Sequence, residues 1–247
     1  MPYTFRNWSR VWQVQPRQYH QAKDEATIVH LVQQAAAEGH RVRVVGAGHS
    51  WSPIALTDDT MLNLDHYNRL LHIDHDKLQV TVQGGMRLKT LNRLLEEQGL
   101  ALSNLGSISE QSVAGVISTG THGTGIGLGL LASQVVALRL IDGQGNIHEL
   151  SAADGDRWRA ALVGLGSLGI ISTVTLQCVK AYHLEEKAYP LPFEAAIQQL
   201  PQLVQNNRHL KLWWFPHADK VQVYAYNKTD LPPTGHNTLA RDLMRAL

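Results

Sequence analysis

Gly46-Ala47-Gly48-His49-Ser50 follows the apolar run Arg41-Val42-Arg43-Val44-Val45, and its reading decides the fold. Glycine carries no Cβ, so a turn built on it can tighten and its backbone N–H groups can approach a ligand closely. A second glycine-rich region reinforces the first. Ser112-Val113-Ala114-Gly115 leads into Thr119-Gly120-Thr121-His122-Gly123, and Gly125, Gly127 and Gly129 follow. That is more glycine than one tight turn needs, and it suits backbone donors converging on a pyrophosphate. His49 stands at the tip of the first loop, and neutral imidazole is a nucleophile near neutral pH. A nicotinamide-binding strand-turn-helix fits poorly. After Gly46 and Gly48 the third glycine position holds Trp51, and Pro53 interrupts any helix that would follow.

With 247 residues, 44% hydrophobic and 17% charged, the chain can bury a real core as one large or two small domains. Lys plus Arg (22) nearly balances Asp plus Glu (21), and neither a basic block nor an acidic tract occurs, so no nucleic-acid or anionic-membrane partner is expected. The first residues lack the apolar core of a signal peptide and no segment approaches a membrane span, so a cytoplasmic location is expected. Cys178 is the single cysteine and is read as a core residue. His66, His72 and His75 lie among Asp65, Asp74 and Asp76, but on an expected strand-turn-strand whose spacing fits no ligand frame, so no metal site is assigned.

Along the chain, Asp24 can cap a helix carrying Ile28, Leu31, Val32 and Ala35, with Gly39 as its stop. Met61 to Leu64 and Leu78 to Val82 read as strands bracketing a turn at Asp74-His75-Asp76-Lys77. Leu88, Leu91, Leu94 and Leu95 mark a helix ended by Gly99, and Ser112 can cap a short one. Val136, Leu138 and Leu140 alternate before the turn Asp142 to Asn146, a hairpin pattern, and a helix around Trp158 precedes Gly164-Leu165-Gly166-Ser167-Leu168-Gly169. The next strand would place Ile170, Val174, Leu176 and Cys178 on one face. From about Tyr182 glycine thins out; a helix over Phe193 to Gln205 and strands over Leu210 to Phe215 and Val221 to Tyr226 are expected. Trp213-Trp214-Phe215-Pro216-His217 reads mainly as a buried aromatic strand, and Asn237 to Leu247 as the beginning of a helix.

The two glycine loops, with Asn104-Leu105-Gly106-Ser107-Ile108-Ser109 between them, resemble the N-terminal FAD domain of the vanillyl-alcohol-oxidase superfamily, and within it the aldonolactone and alditol oxidases. The resemblance implies an α+β fold: two α/β subdomains cradling an extended FAD over residues 1–180, then an incomplete α+β cap domain over 181–247. It implies that His49 carries the flavin covalently, with Val44, Val45, Gly46, Ala47, Gly48 and Ser50 along the pyrophosphate and ring edge. Ser107 matches a serine near flavin and substrate in the alditol oxidases. Ser112, Val113, Ala114, Gly115, Thr119, Gly120 and Thr121 would supply further donors, and Ile170 or Ile171 would reach the adenine side through the main chain. His122 has two readings, a polar residue closing a loop or a contact to flavin or phosphate.

The implied reaction is oxidation of an alcohol carbon in a sugar-derived aldono-1,4-lactone or a polyol such as an alditol, with electrons passing to oxygen or another acceptor. The resemblance covers only the N-terminal part of the family. Full-length members add a C-terminal segment with a His-Trp-Gly-Lys motif and a carboxylate and arginine pair that orient the substrate. None of these is found here, so a missing C-terminal segment is expected and no catalytic residue is assigned. A fragment, an interrupted reading frame and one piece of a split protein stay open, as does a flavin-binding chain without turnover.

Overall fold

The computed structural model describes residues 3–234, so the helix expected over Asn237 to Leu247 lies outside the described residues. The chain divides into two compact units. The first takes the chain up to Thr124 together with Leu128–Ala181, and the second takes Gly125–Gly127 and the chain from Tyr182 onward.

The first unit opens with a short antiparallel pair, β1 (Phe5–Arg6) and β2 (Gln13–Val14). Next come β3 (Gln18–Gln21), α1 (Glu25–Ala37), β4 (Val42–Val45) and β5 (Thr60–Asn63), which form a parallel sheet of order β3-β5-β4. Asp24 caps α1 as expected, its carboxylate accepting from the Thr27 N–H at 2.7 Å. The buried face of α1, Ile28, Val32 and Ala35, fixes it against this sheet, with Leu62, Leu64 and Tyr67 in the same core.

The rest of the unit is built on an antiparallel sheet. It contains β6 (Leu70–Asp74), β7 (Gln79–Gln83), α2 (Leu88–Glu97), β8 (Leu100–Ala101), α3 (Val113–Ile117), β9 (Val135–Ile141), β10 (Ile147–Ser151), α4 (Asp156–Ala161), β11 (Ile170–Gln177) and β12 (Val179–Lys180). The sheet order is β10-β9-β11-β7-β6, and β12 pairs with β8. Leu88, Leu91 and Leu95 of α2 and Val113, Val116 and Ile117 of α3 bury against Val80, Val82, Val174 and Leu176. Cys178 joins this core, where burial pushes its thiol up to about 11.

Three expectations need correction. The turn at Asp74 to Lys77 is bracketed by β6 and β7, whereas Met61 and Leu62 belong to β5 in the parallel sheet. Period-two alternation cannot tell which of two nearby strands is the hairpin partner. In β11 a register shift against β9 falls between Ile171 and Thr173, so Ile171 packs with Val174, Leu176 and Cys178, while Ile170 turns into the core beside α1. A bulge inserts one residue and reverses the alternation that sequence spacing assumes. Ser112 begins α3 without a side-chain cap bond.

A network ties α1 to the antiparallel sheet. Glu25 accepts from Arg139 Nη2 at 2.8 Å and from the buried Ser172 Oγ at 2.6 Å. Arg139, first among the causes, holds the Glu25 carboxyl below its usual range.

The second unit contains β13 (His183–Pro192), α5 (Phe193–Asn206), β14 (His209–Trp213) and β15 (Lys220–Thr229), with antiparallel order β13-β15-β14. The ten residues of β13 were not foreseen, because their pattern is mostly exposed and carries little apolar alternation. The aromatic run is also corrected: β14 ends at Trp213, and Trp213, Trp214 and Phe215 are all exposed. Trp213 meets Tyr224 edge-on at 5.3 Å, and the Lys211 ammonium lies 4.6 Å from the Trp213 ring centroid.

The observed architecture is α+β. Among the described residues no helix is long and apolar enough to cross a membrane.

Candidate functional site

The first unit holds a cleft of about 750 Å³. Its walls come from the end of β4 and the loop after it, from α3 and the loop beyond, from the β9–β10 turn, and from the segment entering β11. Val44, Val45, Gly46, Ala47, Gly48, His49 and Ser50 all line it. So do Ser112, Ala114, Gly115, Thr119, Thr121, Ile170 and Ile171. Two regions separated by more than sixty residues in sequence, and a third beyond them, therefore face one space.

Four expected residues are not on that wall. Val113 points into the core, fully buried. Ser107 and Gly120 are exposed outside the cleft lining. His122 is exposed as well, its Nδ1 bonding the Gly123 carbonyl at 2.8 Å while its backbone bridges to Leu130, which is the loop-closing geometry. The exposed His66, His72 and His75 gather no partners for an ion: among the described residues no cluster of three or more His, Cys, Asp or Glu could hold a metal.

The loop geometry follows from local sterics. Gly48 has φ +68°, and a Cβ there would lie 3.0 Å from the Phe5 ring. Left-handed backbone and a close neighbour together require glycine. The loop so formed carries His49 with its Nδ1 buried and without a hydrogen-bond partner. Burial, then the nearby Arg87 guanidinium, lower the imidazole pKa, with Glu110 opposing. Arg87 is itself fixed by an ion pair to Asp65 and a 3.0 Å bond to the Glu110 carbonyl. His49 thus lines the cleft with a neutral ring whose Nδ1 is covered from solvent and has no hydrogen-bond partner.

Sequence reasoning missed other parts of the wall. Leu165 to Gly169 line it, and the glycine density of that segment was a usable signal. Asp142 and Gly143 also line it. There the Asp142 carboxylate accepts from His148 at 2.8 Å and is held far below its usual range by that bond. Val32 and Ala36 of α1 contribute too, and nothing local in their pattern distinguishes a cleft from a core.

The family described as D-arabinono-1,4-lactone oxidase matches residues 174–246. L-gulonolactone oxidase of Bos taurus is 41% identical over 231 residues, covering 93% of this chain and 52% of the relative. D-arabinono-1,4-lactone oxidase of Eremothecium gossypii is 38% identical, covering 93% and 44%, and L-gulono-1,4-lactone dehydrogenase of Mycobacterium tuberculosis is 36% identical, covering 92% and 53%. The chain therefore spans about half the length of these curated relatives. Among solved structures, two of cholesterol oxidase from Brevibacterium sterolicum superpose with a TM-score of 0.82 at 18% identity, covering 94% of this chain and 49% and 48% of those chains, a likeness of fold. The cleft-bearing unit carries the remaining match: residues 16–151 fit the family described as FAD binding domain, more than half of the chain, and the chain belongs to that family.

Proposed function

We propose that this chain is the flavin-holding part of an oxidoreductase that oxidises an alcohol carbon of a sugar-derived aldono-1,4-lactone or alditol. FAD would lie along the cleft of the first unit and be bonded to His49. The observation that carries this reading is the buried His49 Nδ1 without a partner: such an atom is costly unless something bonds it. The names of the relatives, lactone oxidases and a lactone dehydrogenase, support the substrate class and leave the final electron acceptor as oxygen or another oxidant.

The residues present fit the cofactor. A side chain at Gly46 would run into Ser112 Oγ at 2.3 Å and one at Gly48 into Phe5, so bare backbone borders the cleft where phosphates need N–H donors. Bound FAD supplies the two-electron acceptor that no side chain here provides. The chain's own part is to hold and orient it. Val44 to Ser50 are assigned to the pyrophosphate and ring edge, Ser112 to Gly115, Thr119 and Thr121 to further backbone and hydroxyl donors, and Ile170 or Ile171 to the adenine side through the main chain. Ser107 and Gly120, which lie outside the cleft lining, stay assigned to cofactor contacts, and His122 is assigned to closing its loop. Burial and Arg87 keep His49 unprotonated, the form able to make a bond. Residues 1–180 are taken as the FAD domain and 181–247 as the start of a substrate-covering domain; the passage from the first compact unit to the second after Ala181 supports this reading, with Gly125–Gly127 as the exception.

Purified protein is expected to be yellow, and acid-precipitated protein to keep flavin that His49→Ala loses. A colourless precipitate with no FAD in the supernatant overturns the cofactor reading. This chain by itself, even loaded with FAD, is expected to oxidise neither L-gulono-1,4-lactone nor xylitol at a useful rate, because the groups that hold the donor carbon against the flavin are expected in the missing segment. Steady peroxide production from either compound overturns the reading that the chain is the flavin-holding part alone.

A further inference from the structure

The carbonyls on both sides of His49 are held by two adjacent residues from the far N-terminus. Trp8 N–H donates to the Gly48 carbonyl at 2.8 Å, and Asn7 Nδ2 donates to the Ser50 carbonyl at 3.1 Å. Asn7 is only 3% exposed and fully used, since its Oδ1 accepts from Trp12 N–H at 3.0 Å and its Nδ2 also donates to Ser9 Oγ at 2.9 Å. The Trp8 indole lies over the His49 imidazole, ring centroids 5.3 Å apart and planes inclined by 25°. Trp51 meets the same indole edge-on at 5.9 Å, and its carbonyl accepts from Trp12 Nε1 at 3.0 Å.

Yet Trp8 is 58% exposed. A large indole left mostly in water does little as core, so its placement calls for another reason. An imidazole ring with an unpartnered Nδ1 has no hydrogen bond at that atom to set its rotation about χ2, and a stacked ring supplies that constraint instead.

We propose that the turn between Asn7 and Trp12 is a clasp that positions His49 for covalent attachment, with Trp8 setting the imidazole plane. This rests on the reading that His49 bonds the flavin. In that attachment the imidazole N–H and one methyl C–H of the flavin are replaced by an N–C bond, and the two protons and two electrons released reduce dioxygen to hydrogen peroxide. Trp8 takes no part in these exchanges and is a positioning residue.

The test uses cofactor-free protein mixed with excess FAD in air, following acid-stable flavin over time and reversibly bound flavin separately. Trp8→Ala is expected to bind FAD within about twofold of the parent and to attach it at least about tenfold more slowly, since small misplacements of reacting groups are costly. Trp8→Phe, which restores a ring, is expected to recover most of the rate. If the parent itself acquires no acid-stable flavin, the His49 reading fails. If the parent does and Trp8→Ala attaches at the same rate, the clasp alone fails. Loss of reversible binding by Trp8→Ala also overturns it, because Trp8 then builds the cleft instead of aiming the ring, and so does a Trp8→Phe variant as slow as Trp8→Ala.

Discussion

A Cβ placed on Gly46 would stand 2.3 Å from Oγ of Ser112 and 3.2 Å from its Cβ, so the two glycine-rich regions touch where the first loop leaves its strand. Ser112 is buried at the start of α3 and makes no cap bond with its side chain. Gly46→Ala must therefore displace Ser112, an overpacking that typically costs about 1–3 kcal/mol. Adding Ser112→Ala removes the nearer atom and is expected to restore part of the loss, a coupling that urea unfolding of both single variants and the double variant would measure. Equal stability of Gly46→Ala and parent, or strict additivity, counts against the contact.

His49 gives a pH dependence with a definite sign. Burial, then Arg87, lower its pKa from the ordinary 6.5, with Glu110 opposing. The folded protein binds fewer protons here than the unfolded chain as pH drops below 6.5, so stability falls in that direction, and His49→Gln should flatten this part of the profile. Covalent attachment needs the neutral ring, so the acid limb of its rate is expected to have its midpoint below 6.5. Arg87→Ala should move that midpoint upward. A parent midpoint above 6.5 contradicts the electrostatic account.

Gly120 separates ligand effects from folding effects. A Cβ there meets no atom within 4 Å, so Gly120→Val should leave the thermal stability of cofactor-free protein nearly unchanged. If this loop approaches the cofactor, flavin content falls all the same. Unchanged flavin content would mean the loop is only a structural turn.

Removing Glu25 should loosen the tie between α1 and the antiparallel sheet. Glu25→Ala strips a charge-assisted partner from Arg139 and a bond from the buried Ser172, with a loss of about 1–2 kcal/mol after allowing for partial exposure. The carboxyl is held below its ordinary 4.5, so its contribution is fully present above that pH and lost as pH falls toward the lower folded value. The stability gap between parent and variant should close in acid, and a gap that persists would assign the effect to packing.

Local sequence determined much of this protein. The capped helix after Asp24, the leucine face of α2, the hairpin turning at Asp142 and the glycine loop bearing His49 were all legible, because capping, periodicity and left-handed turns are properties of a few neighbouring residues. Tertiary structure alone decided other points. It showed which strand pairs at Asp74, that a bulge hands Ile170 and Ile171 to different cores, and that Trp213 to Phe215 are exposed. It also brought Asn7 and Trp8 onto the carbonyls flanking His49 from some forty residues away. Such contacts depend on strand partners and packing distant in the chain, so no window of neighbouring residues contains them.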